Sequence, residues 1–307
     1  MNTPLVSICC ITYNHAHFIR KCLDGFLMQK APLCVPHGTK MSDWCEILIH
    51  DDCSTDGTTE IIKEYAAKYP DLIFPIYEEE NQYSKGKAGK MDLYNYERAK
   101  GKFIAYCEGD DYWTEPLKLQ MQVDFLESHS DYSVTFHRCK HVNVSDSSER
   151  EDGCGFLFPN NEEGVDINVE LFFKHWVTQP LTMVCRSSMH NITLAYKYKY
   201  YRDMYEIYHL LMNGKGYLFR FYGGMRIMHE GGIASQRGDK EVCKQSIIIA
   251  KELYSINKDS YTKQYYLNIL QWYLTFINNN FFRKVYISLI ILILNGKFKT
   301  FIKNIIL

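Results

Sequence analysis

Residues 46–65, EILIHDDCSTDGTTEIIKEY, place an apolar run, a pair of acids and a helical pattern in immediate succession. The apolar run at 46–49 predicts a buried strand that ends at Asp51 and Asp52. The small polar residues and the glycine that follow are typical of a turn leading into a helix N-terminus. From 58 to 69 the apolar residues recur at helical spacing. The stretch therefore predicts a strand, a loop and a helix, with two carboxylates where the strand ends.

The same alternation of strand and helix continues on both sides of this stretch. Further strands are predicted at 6–11, 72–77, 103–107, 182–185 and 216–221, and further helices at 18–27, 117–128 and 203–213. Such alternation is typical of an α/β fold, in which helices cover both faces of a mostly parallel sheet. Ligands of these folds lie in the crevice at the carboxyl ends of the strands. We interpret the polar stretch 142–164 as an excursion loop of the same folding unit.

The composition indicates a globular protein with no nucleic-acid partner. The 307 residues include 35 Lys and Arg against 36 Asp and Glu, and 46% of them are hydrophobic. This near balance of charge argues against a general polyanion binder. Eleven cysteines occur without a Cys-x-x-Cys pair, which suits buried thiols in a reducing compartment better than a metal finger or a disulfide framework. The first residues lack the features of a signal peptide, so we expect a cytoplasmic protein.

Charge is distributed unevenly along the chain, and the C-terminal part differs from the rest. Residues 260–307 contain six Lys and Arg and no acid. We predict a catalytic domain at 1–238 and a helical, basic, amphipathic extension at 239–307. The apolar run 285–294 is too short to span a membrane, which takes about 20 residues. After Gly296, one helical face collects the apolar side chains Phe298, Phe301, Ile302, Ile305 and Ile306.

That apolar face has two interpretations. A helix with basic residues beside an apolar face suits an interfacial helix on an anionic membrane, which would make the protein peripheral on the inner face of the cell membrane. The same pattern also suits a helix that packs on its own domain and leaves its lysines solvated.

A second group of acids follows the strand predicted at 103–107. In the sequence CEGDDYW, Glu108 and Asp110 occupy alternate positions and Asp111 comes next. Mg²⁺ and Mn²⁺ take one or two protein carboxylates and complete their coordination with substrate phosphates and water. We favour a metal site here over a solvated acidic turn, because acids follow two separate buried strands. For Asp51 and Asp52, binding of a nucleobase or ribose and capping of the loop both remain open.

Four segments, in order, carry a resemblance to a known family. They are VSICCITYN, HDDCSTDGT, YCEGDDYWTEPLKLQMQ, and RDMYEIYHLLMNGKGYLF followed by HEGGIAS. Together they make the chain resemble an inverting family-2 glycosyltransferase with the GT-A fold, from about residue 4 to 235. The resemblance implies a GT-A-type, Rossmann-like sheet and a UDP-sugar as donor.

The resemblance also implies roles for individual residues. It implies that a nucleoside pocket is lined by Thr12, Tyr13 and Asn14, with Asp51 meeting the base and Asp52 beside it. It implies that Asp110, with help from Glu108, holds Mg²⁺ or Mn²⁺ on the diphosphate. It further implies that His229 adds a metal ligand or touches a phosphate.

The reaction needs a carboxylate that takes the proton of the acceptor hydroxyl. By the same resemblance we expect this base to be Asp203, with Glu206, one helical turn later, as the alternative. The implied function is transfer of a sugar from a UDP-sugar to a saccharide or lipid-linked saccharide, in surface polysaccharide or lipid-linked oligosaccharide assembly. A non-catalytic sugar-nucleotide-binding protein stays an alternative. A nucleotidyltransferase is disfavoured, because ITYNHAHF stands where a glycine-rich, basic triphosphate loop is expected.

Overall fold

The computed structural model describes residues 3–87, 93–232, 239–276 and 281–296. The chain packs as two compact units, Met1–His229 and Glu230–Leu307. The amphipathic segment predicted after Gly296 and the last residues of HEGGIAS lie outside the described residues. The domain boundary between 238 and 239 stays a prediction.

The first unit is a mixed α/β structure. Its strands are β1 (Val6–Thr12), β2 (Cys45–Asp51), β3 (Ile73–Tyr77), β4 (Phe103–Tyr106), β5 (Tyr112–Trp113), β6 (Tyr132–Asn143), β7 (Glu149–Glu151), β8 (Gly164–Ile167), β9 (Val184–Arg186) and β10 (Lys215–Met228). Its helices are α1 (Ile19–Leu27), α2 (Thr58–Lys68), α3 (Leu93–Tyr96), α4 (Lys118–Ser128), α5 (Val169–Lys174), α6 (Ile192–Ala195) and α7 (Asp203–Asn213).

The strands form one sheet in the order β3-β2-β1-β4-β9-β6-β10-β5, with β7 added beside β6 and β8 beside β10. The half from β3 to β4 is parallel, as the sequence pattern predicts. Beyond β4 the sheet is mixed, because β9 runs antiparallel to both β4 and β6, whereas β6 and β10 are parallel to each other. The parallel half carries the segments that contain Thr12, Asp51 and Asp110.

The pairing register of the strands explains why acidic residues that follow separate strands meet at one edge of the sheet. In the pairing of β1 with β2, Thr12 lies opposite Asp51. On the other side of β1, Cys9 lies opposite Tyr106, and the backbone pairing continues as Gly109 N donates to the carbonyl of Ile11 at 2.9 Å. The loops after β1, β2 and β4 therefore begin at the same level of the sheet.

The core consists of the apolar faces of these strands and the helices that cover them. Its fully buried side chains include Ile8, Ile47, Phe26, Phe103 and Leu119. All eleven cysteines are free thiols, and nine of them are buried. Burial raises the pKa of the Cys107 thiol to about 11, so this side chain behaves as a small neutral hydrophobe.

The second unit is helical in its described part. It contains α8 (Asp239–Asn257), α9 (Ser260–Thr275) and α10 (Phe281–Leu294), and α9 packs against both other helices. Asp259 caps α9, because its side chain accepts a hydrogen bond from Thr262 N at 2.9 Å. Among the described residues, no helix is both long enough and apolar enough to cross a membrane.

Candidate active site

The loop after β1 is tied to the loop after β2. Asn14 adopts a left-handed backbone conformation, with φ 56°, which a short polar side chain tolerates. Its backbone N–H donates to Ser54 Oγ at 2.9 Å, and its side-chain oxygen accepts from Thr55 N at 2.8 Å. Thr12 is buried beneath this loop, whereas Tyr13 is 43% exposed. The Thr-Tyr-Asn sequence thus presents one aromatic ring on a fixed backbone.

Asp51 and Asp52 lie at the carboxyl end of β2, as predicted, and both are buried. Asp51 Oδ1 accepts from Ser54 N at 3.2 Å and Ser54 Oγ at 2.5 Å, and its Oδ2 accepts from the Thr59 hydroxyl. Asp52 accepts from the backbone N–H groups of Gln82 and Tyr83, at 2.7 and 3.0 Å. The two carboxylates therefore shape the surrounding loops from within the protein.

The second acidic group lies beside His229, the residue for which the resemblance implied a metal or phosphate contact. Asp110 Oδ2 lies 3.1 Å from His229 Nε2. Asp110 follows β4 and His229 follows β10, so the two residues are 119 positions apart in the sequence. The Oδ1 atom of Asp110 is buried and has no hydrogen-bond partner among the described residues. A buried, unpaired carboxylate oxygen is costly unless a ligand completes it.

His15 joins this pair, and sequence reasoning had not selected it. Its Nε2 lies 3.8 Å from Asp110 Oδ2. The ligand atoms of His15, Asp110 and His229 all lie within 4.8 Å of one another. The ring of Phe18 packs against His229, with centroids 4.8 Å apart. We call His15, Asp110 and His229 the histidine–aspartate cluster.

Electrostatics in the cluster reflect burial and close charges. Burial lowers the pKa of His15, against the raising effect of the Asp110 charge. Burial would raise the pKa of Asp110, but the hydrogen bond with His229 and the charge of His15 outweigh it and lower that pKa. The cluster therefore presents an ionised carboxylate beside at least one imidazole that stays neutral near pH 7.

The other acids of CEGDDYW take different positions. Asp111 is buried, and its Oδ1 accepts from Ile227 N at 2.8 Å. Burial, with the neighbouring Asp110 charge, raises the pKa of Asp111 well above its usual value. Glu108 is exposed, and its carboxylate lies within 4.8 Å of those of Asp110 and Asp111. The predicted pair Glu108 and Asp110 is thus brought together at one edge of the sheet.

Asp203 is the first residue of α7, at the position predicted for it. Its Oδ1 accepts a hydrogen bond from Met204 N at 2.8 Å. Burial raises the pKa of this carboxyl, an effect that the positive charge of Arg202 only partly opposes. A carboxylate whose pKa moves toward neutrality is better matched to taking a proton from a hydroxyl.

Glu206, one turn later, is held inside the protein. Only 4% of this residue is exposed. Its Oε2 accepts from the Tyr96 hydroxyl at 3.1 Å, and its Oε1 accepts from the Tyr106 hydroxyl and lies 3.0 Å from His190 Nε2. Three partners and burial leave this side chain little access to an incoming hydroxyl.

Comparison with known structures identifies the fold. The crystal structure of S. aureus TarS 1–349 in complex with UDP-GlcNAc is 20% identical, and the match covers 88% of this chain and 73% of that one, with a TM-score of 0.63. The mixed sheet with flanking helices is therefore a GT-A fold, as the sequence indicated.

Sequence comparison then identifies the family. The model of glycosyl transferase family 2 matches residues 7–192, more than half of the 307 residues. The chain belongs to glycosyl transferase family 2, which confirms the resemblance.

Two relatives each match a part of the chain. The uncharacterized protein Rv1520 of Mycobacterium tuberculosis is 43% identical over 132 residues, which are 43% of this chain and 34% of that protein. The UDP-Glc:alpha-D-GlcNAc-diphosphoundecaprenol beta-1,3-glucosyltransferase WfgD of Escherichia coli is 31% identical over 126 residues, 41% of this chain and 42% of WfgD. The match thus spans less than half of the length of either relative.

Proposed function

We propose that this protein is a metal-dependent, inverting glycosyltransferase that moves a sugar from a UDP-sugar to an acceptor hydroxyl. The observation that carries the proposal is a buried carboxylate oxygen, Oδ1 of Asp110, which has no hydrogen-bond partner in the described part of the chain. Asp110 lies beside His229 at the carboxyl edge of the parallel strands. Family membership supports the reaction class. UDP-GlcNAc in the complex of the structurally similar TarS supports the choice of nucleotide.

A divalent cation suits the side chains around Asp110. We propose that Asp110, His229 and Glu108 would hold Mg²⁺ or Mn²⁺, since the three supply carboxylate oxygens and an imidazole nitrogen at one edge. Such a cation would offset negative charge on the departing UDP.

The nucleoside would lie over the loops after β1 and β2. We assign this pocket to Thr12, Tyr13, Asn14, Asp51 and Asp52. The exposed ring of Tyr13 offers a surface on which a base can stack. Carboxylate oxygens carry two lone pairs each, so Asp51 keeps the capacity to accept from a base N–H in addition to its internal partners. Asp52 orients the segment after β3 through its bonds to Gln82 and Tyr83.

Asp203 is the proposed base. It would accept the proton of the acceptor hydroxyl as that oxygen attacks the anomeric carbon, so that one displacement inverts the centre. Arg202 favours the charged form of Asp203, but burial outweighs it and the pKa is raised. Arg202 therefore does not weaken Asp203 as a base by lowering its pKa. Glu206 is disfavoured as the base because its oxygens already accept from two tyrosines.

The acceptor is proposed to be a saccharide or a lipid-linked saccharide. WfgD, by its name, acts on a diphosphoundecaprenol-linked sugar, which supports assembly of lipid-linked oligosaccharide or surface polysaccharide. We propose a cytoplasmic protein whose basic C-terminal extension lies on the anionic inner face of the membrane.

Release of UDP tests the proposal. The protein is incubated with a panel of UDP-sugars in Mn²⁺ or Mg²⁺, with and without saccharide acceptors, and both UDP and pyrophosphate are assayed. We expect UDP release, its loss in Asp110→Ala, and its retention in Asp71→Ala, an exposed acid of the same type outside the site. Release of pyrophosphate would instead indicate a nucleotidyltransferase. Binding of UDP-sugar with no release under any condition would indicate a non-catalytic protein.

A further inference from the structure

His15 has the position and orientation of a metal ligand. Its Nε2 lies 3.8 Å from Asp110 Oδ2, and His229 Nε2 lies 3.1 Å from the same oxygen. Two atoms bound to one cation at about 2.1 Å each are at most about 4.2 Å apart, and both separations fall below this limit. The side chains of the three residues are only 12 to 17% exposed.

The second ring nitrogen of His15 already has a partner. Nδ1 lies 3.1 Å from Thr12 Oγ1. With the proton on Nδ1, that nitrogen donates to the threonine hydroxyl, and Nε2 keeps its lone pair toward Asp110. Histidines that bind metals are commonly oriented in this way by a hydrogen bond from the other nitrogen.

The backbone of His15 is fixed by the loop after β2. Its N–H donates to Thr58 Oγ1 at 2.8 Å, and that hydroxyl donates to Asp56 Oδ1 at 2.6 Å. The other oxygen of Asp56 accepts from Ala16 N at 2.9 Å. The STDGT sequence, which leads into α2, thus also holds His15 in place beside Asp110.

From these contacts we infer that His15 is a further protein ligand of the divalent cation, and that the histidine–aspartate cluster therefore favours Mn²⁺ or Co²⁺ over Mg²⁺. Mg²⁺ prefers oxygen ligands and gives up its water reluctantly. Imidazole nitrogen suits transition metals, and affinity generally rises from Mn²⁺ to Co²⁺. A site with two imidazoles and the carboxylate of Asp110, next to that of Glu108, can bind such a cation before the nucleotide arrives. This inference rests on the proposed function, since it concerns the same cation.

Electron paramagnetic resonance of Mn²⁺ tests the inference without any turnover. Mn²⁺ is titrated into the full chain in the absence of nucleotide, and the signal of the free ion gives the dissociation constant. We expect wild type to bind Mn²⁺, and His15→Ala to bind at least about tenfold more weakly, as removal of even an outer partner of a metal site costs this much. Equal concentrations of Mg²⁺ should not displace Mn²⁺ from wild type.

Matched variants show whether the loss is specific. His17→Ala removes an exposed histidine two residues away and should leave the dissociation constant unchanged. Thr12→Val removes the acceptor of Nδ1–H and should weaken Mn²⁺ binding about tenfold. In pulsed experiments on bound Mn²⁺, the wild type should show coupling to two imidazole nitrogens, and His15→Gln to one. Unchanged Mn²⁺ affinity in His15→Ala, or coupling to a single imidazole in wild type, overturns the inference.

The two proposals fail separately. If Asp110→Ala abolishes UDP release while His15→Ala leaves Mn²⁺ affinity intact, the role of His15 is wrong and the proposed function stands. If no UDP-sugar yields UDP but Mn²⁺ binds with the predicted dependence on His15, the ligand inference stands and the proposed function is wrong.

Discussion

Asp203 and Glu206 lie one turn apart on the same helix, and their surroundings give them different properties. The carboxylate of Asp203 accepts a hydrogen bond from the N–H of Met204, whereas Glu206 is surrounded by Tyr96, Tyr106 and His190. A general base needs a free lone pair within reach of the hydroxyl. At the scale of single residues, hydrogen bonding therefore separates a candidate base from a structural acid that the sequence alone left as an alternative.

Glu206→Gln should destabilise the protein and leave the rate of sugar transfer nearly unchanged. The amide keeps one acceptor oxygen but places an NH₂ group against a tyrosine hydroxyl or His190. We expect the free energy of unfolding to fall by about 1–3 kcal/mol, with the rate of UDP release at a permissive temperature within about twofold of wild type. Denaturant titration and the UDP assay measure the two effects. A stable variant with strongly reduced release would make Glu206 the base instead.

The buried side chain of Lys118 is expected to make the stability of the protein depend on pH. It is fully buried, its Nζ lies 4.0 Å from the ring centroid of Trp113, and this atom has no hydrogen-bond partner among the described residues. Burial lowers its pKa from 10.5 to about 7. The unfolded chain therefore binds more protons between these values, so stability rises with pH across that window, by up to about 1.4 kcal/mol per pH unit.

The variant Lys118→Met removes this titration. Its free energy of unfolding should exceed that of wild type near pH 7, and the difference should shrink toward pH 10, because loss of the Lys118 proton on folding costs less free energy as the pH rises. Lys30→Met, at an exposed lysine, should show no such convergence. Parallel pH profiles for wild type and Lys118→Met would contradict the assignment.

At the scale of elements, the turn between β4 and β5 is packed closely on the end of β1. A Cβ atom added to Gly109 would lie 2.5 Å from Thr12 Oγ1 and 2.7 Å from Thr12 Cβ. Only a glycine lets this turn bring Asp110 beside His15 and His229. The placement of Glu108 and Asp110 thus depends on this backbone contact as well as on their side chains.

Gly109→Ala should displace the acidic turn. Overpacking of this kind costs about 1–3 kcal/mol, and we expect Mn²⁺-dependent binding of UDP to weaken at least about tenfold, since 1.4 kcal/mol is a factor of ten. Calorimetric titration of UDP in Mn²⁺ measures this. Gly155→Ala is a suitable control, because its new Cβ would come no closer than 3.6 Å to a neighbour. Equal affinities for wild type and Gly109→Ala would show that the turn tolerates the shift.

The local pattern of apolar residues predicted the strands and helices better than it predicted the contacts between those elements. The strand before Asp51 and the helix at 203–213 follow from apolar runs and helical spacing, and the structure has both. β7, within the stretch interpreted as a loop, consists of three exposed charged residues that no apolar pattern marks. β6, Tyr132–Asn143, lies almost entirely before that stretch and was not predicted either. Its buried residues include Ser133, Thr135, His137 and Arg138, so polar side chains obscure its burial.

His15 was not predicted from the sequence for a similar reason. His15 stands next to the Thr-Tyr-Asn sequence, but its relation to Asp110 depends on the pairing of β1 with β4 and on the close turn at Gly109. A histidine three residues after a strand-end threonine was the available signal. Without the register of the strands, the sequence did not show that this histidine lies beside Asp110.

At the scale of the whole molecule, acids and bases are separated along the chain. Residues 260–307 carry six bases and no acid, so the remaining 259 residues hold 29 bases and 36 acids, a net charge of −7. Divided at the boundary of the compact units, residues 1–229 hold 24 bases and 31 acids and residues 230–307 hold 11 bases and 5 acids, so the two units differ in the sign of their net charge. Each basic side chain near an anionic surface contributes about 1 kcal/mol of attraction.

Co-flotation with liposomes tests the membrane proposal. The full chain should float with anionic vesicles, and deletion of 281–307 should reduce the bound fraction at least about tenfold, because it removes five bases and the apolar run of α10. Binding should also fall as salt is raised from 0.1 to about 1 M, where charges are screened within about 3 Å. Equal flotation of full and shortened chains would contradict the proposal.

The most direct test of the account compares wild type with Asp203→Asn at saturating UDP-sugar, Mn²⁺ and acceptor. The rate of UDP release is measured together with the dissociation constant for UDP. If Asp203 takes the proton of the acceptor hydroxyl, release should fall by about 10²–10⁴ while the dissociation constant stays within about twofold. Undiminished release in Asp203→Asn, with UDP still bound as in wild type, would contradict the proposed mechanism.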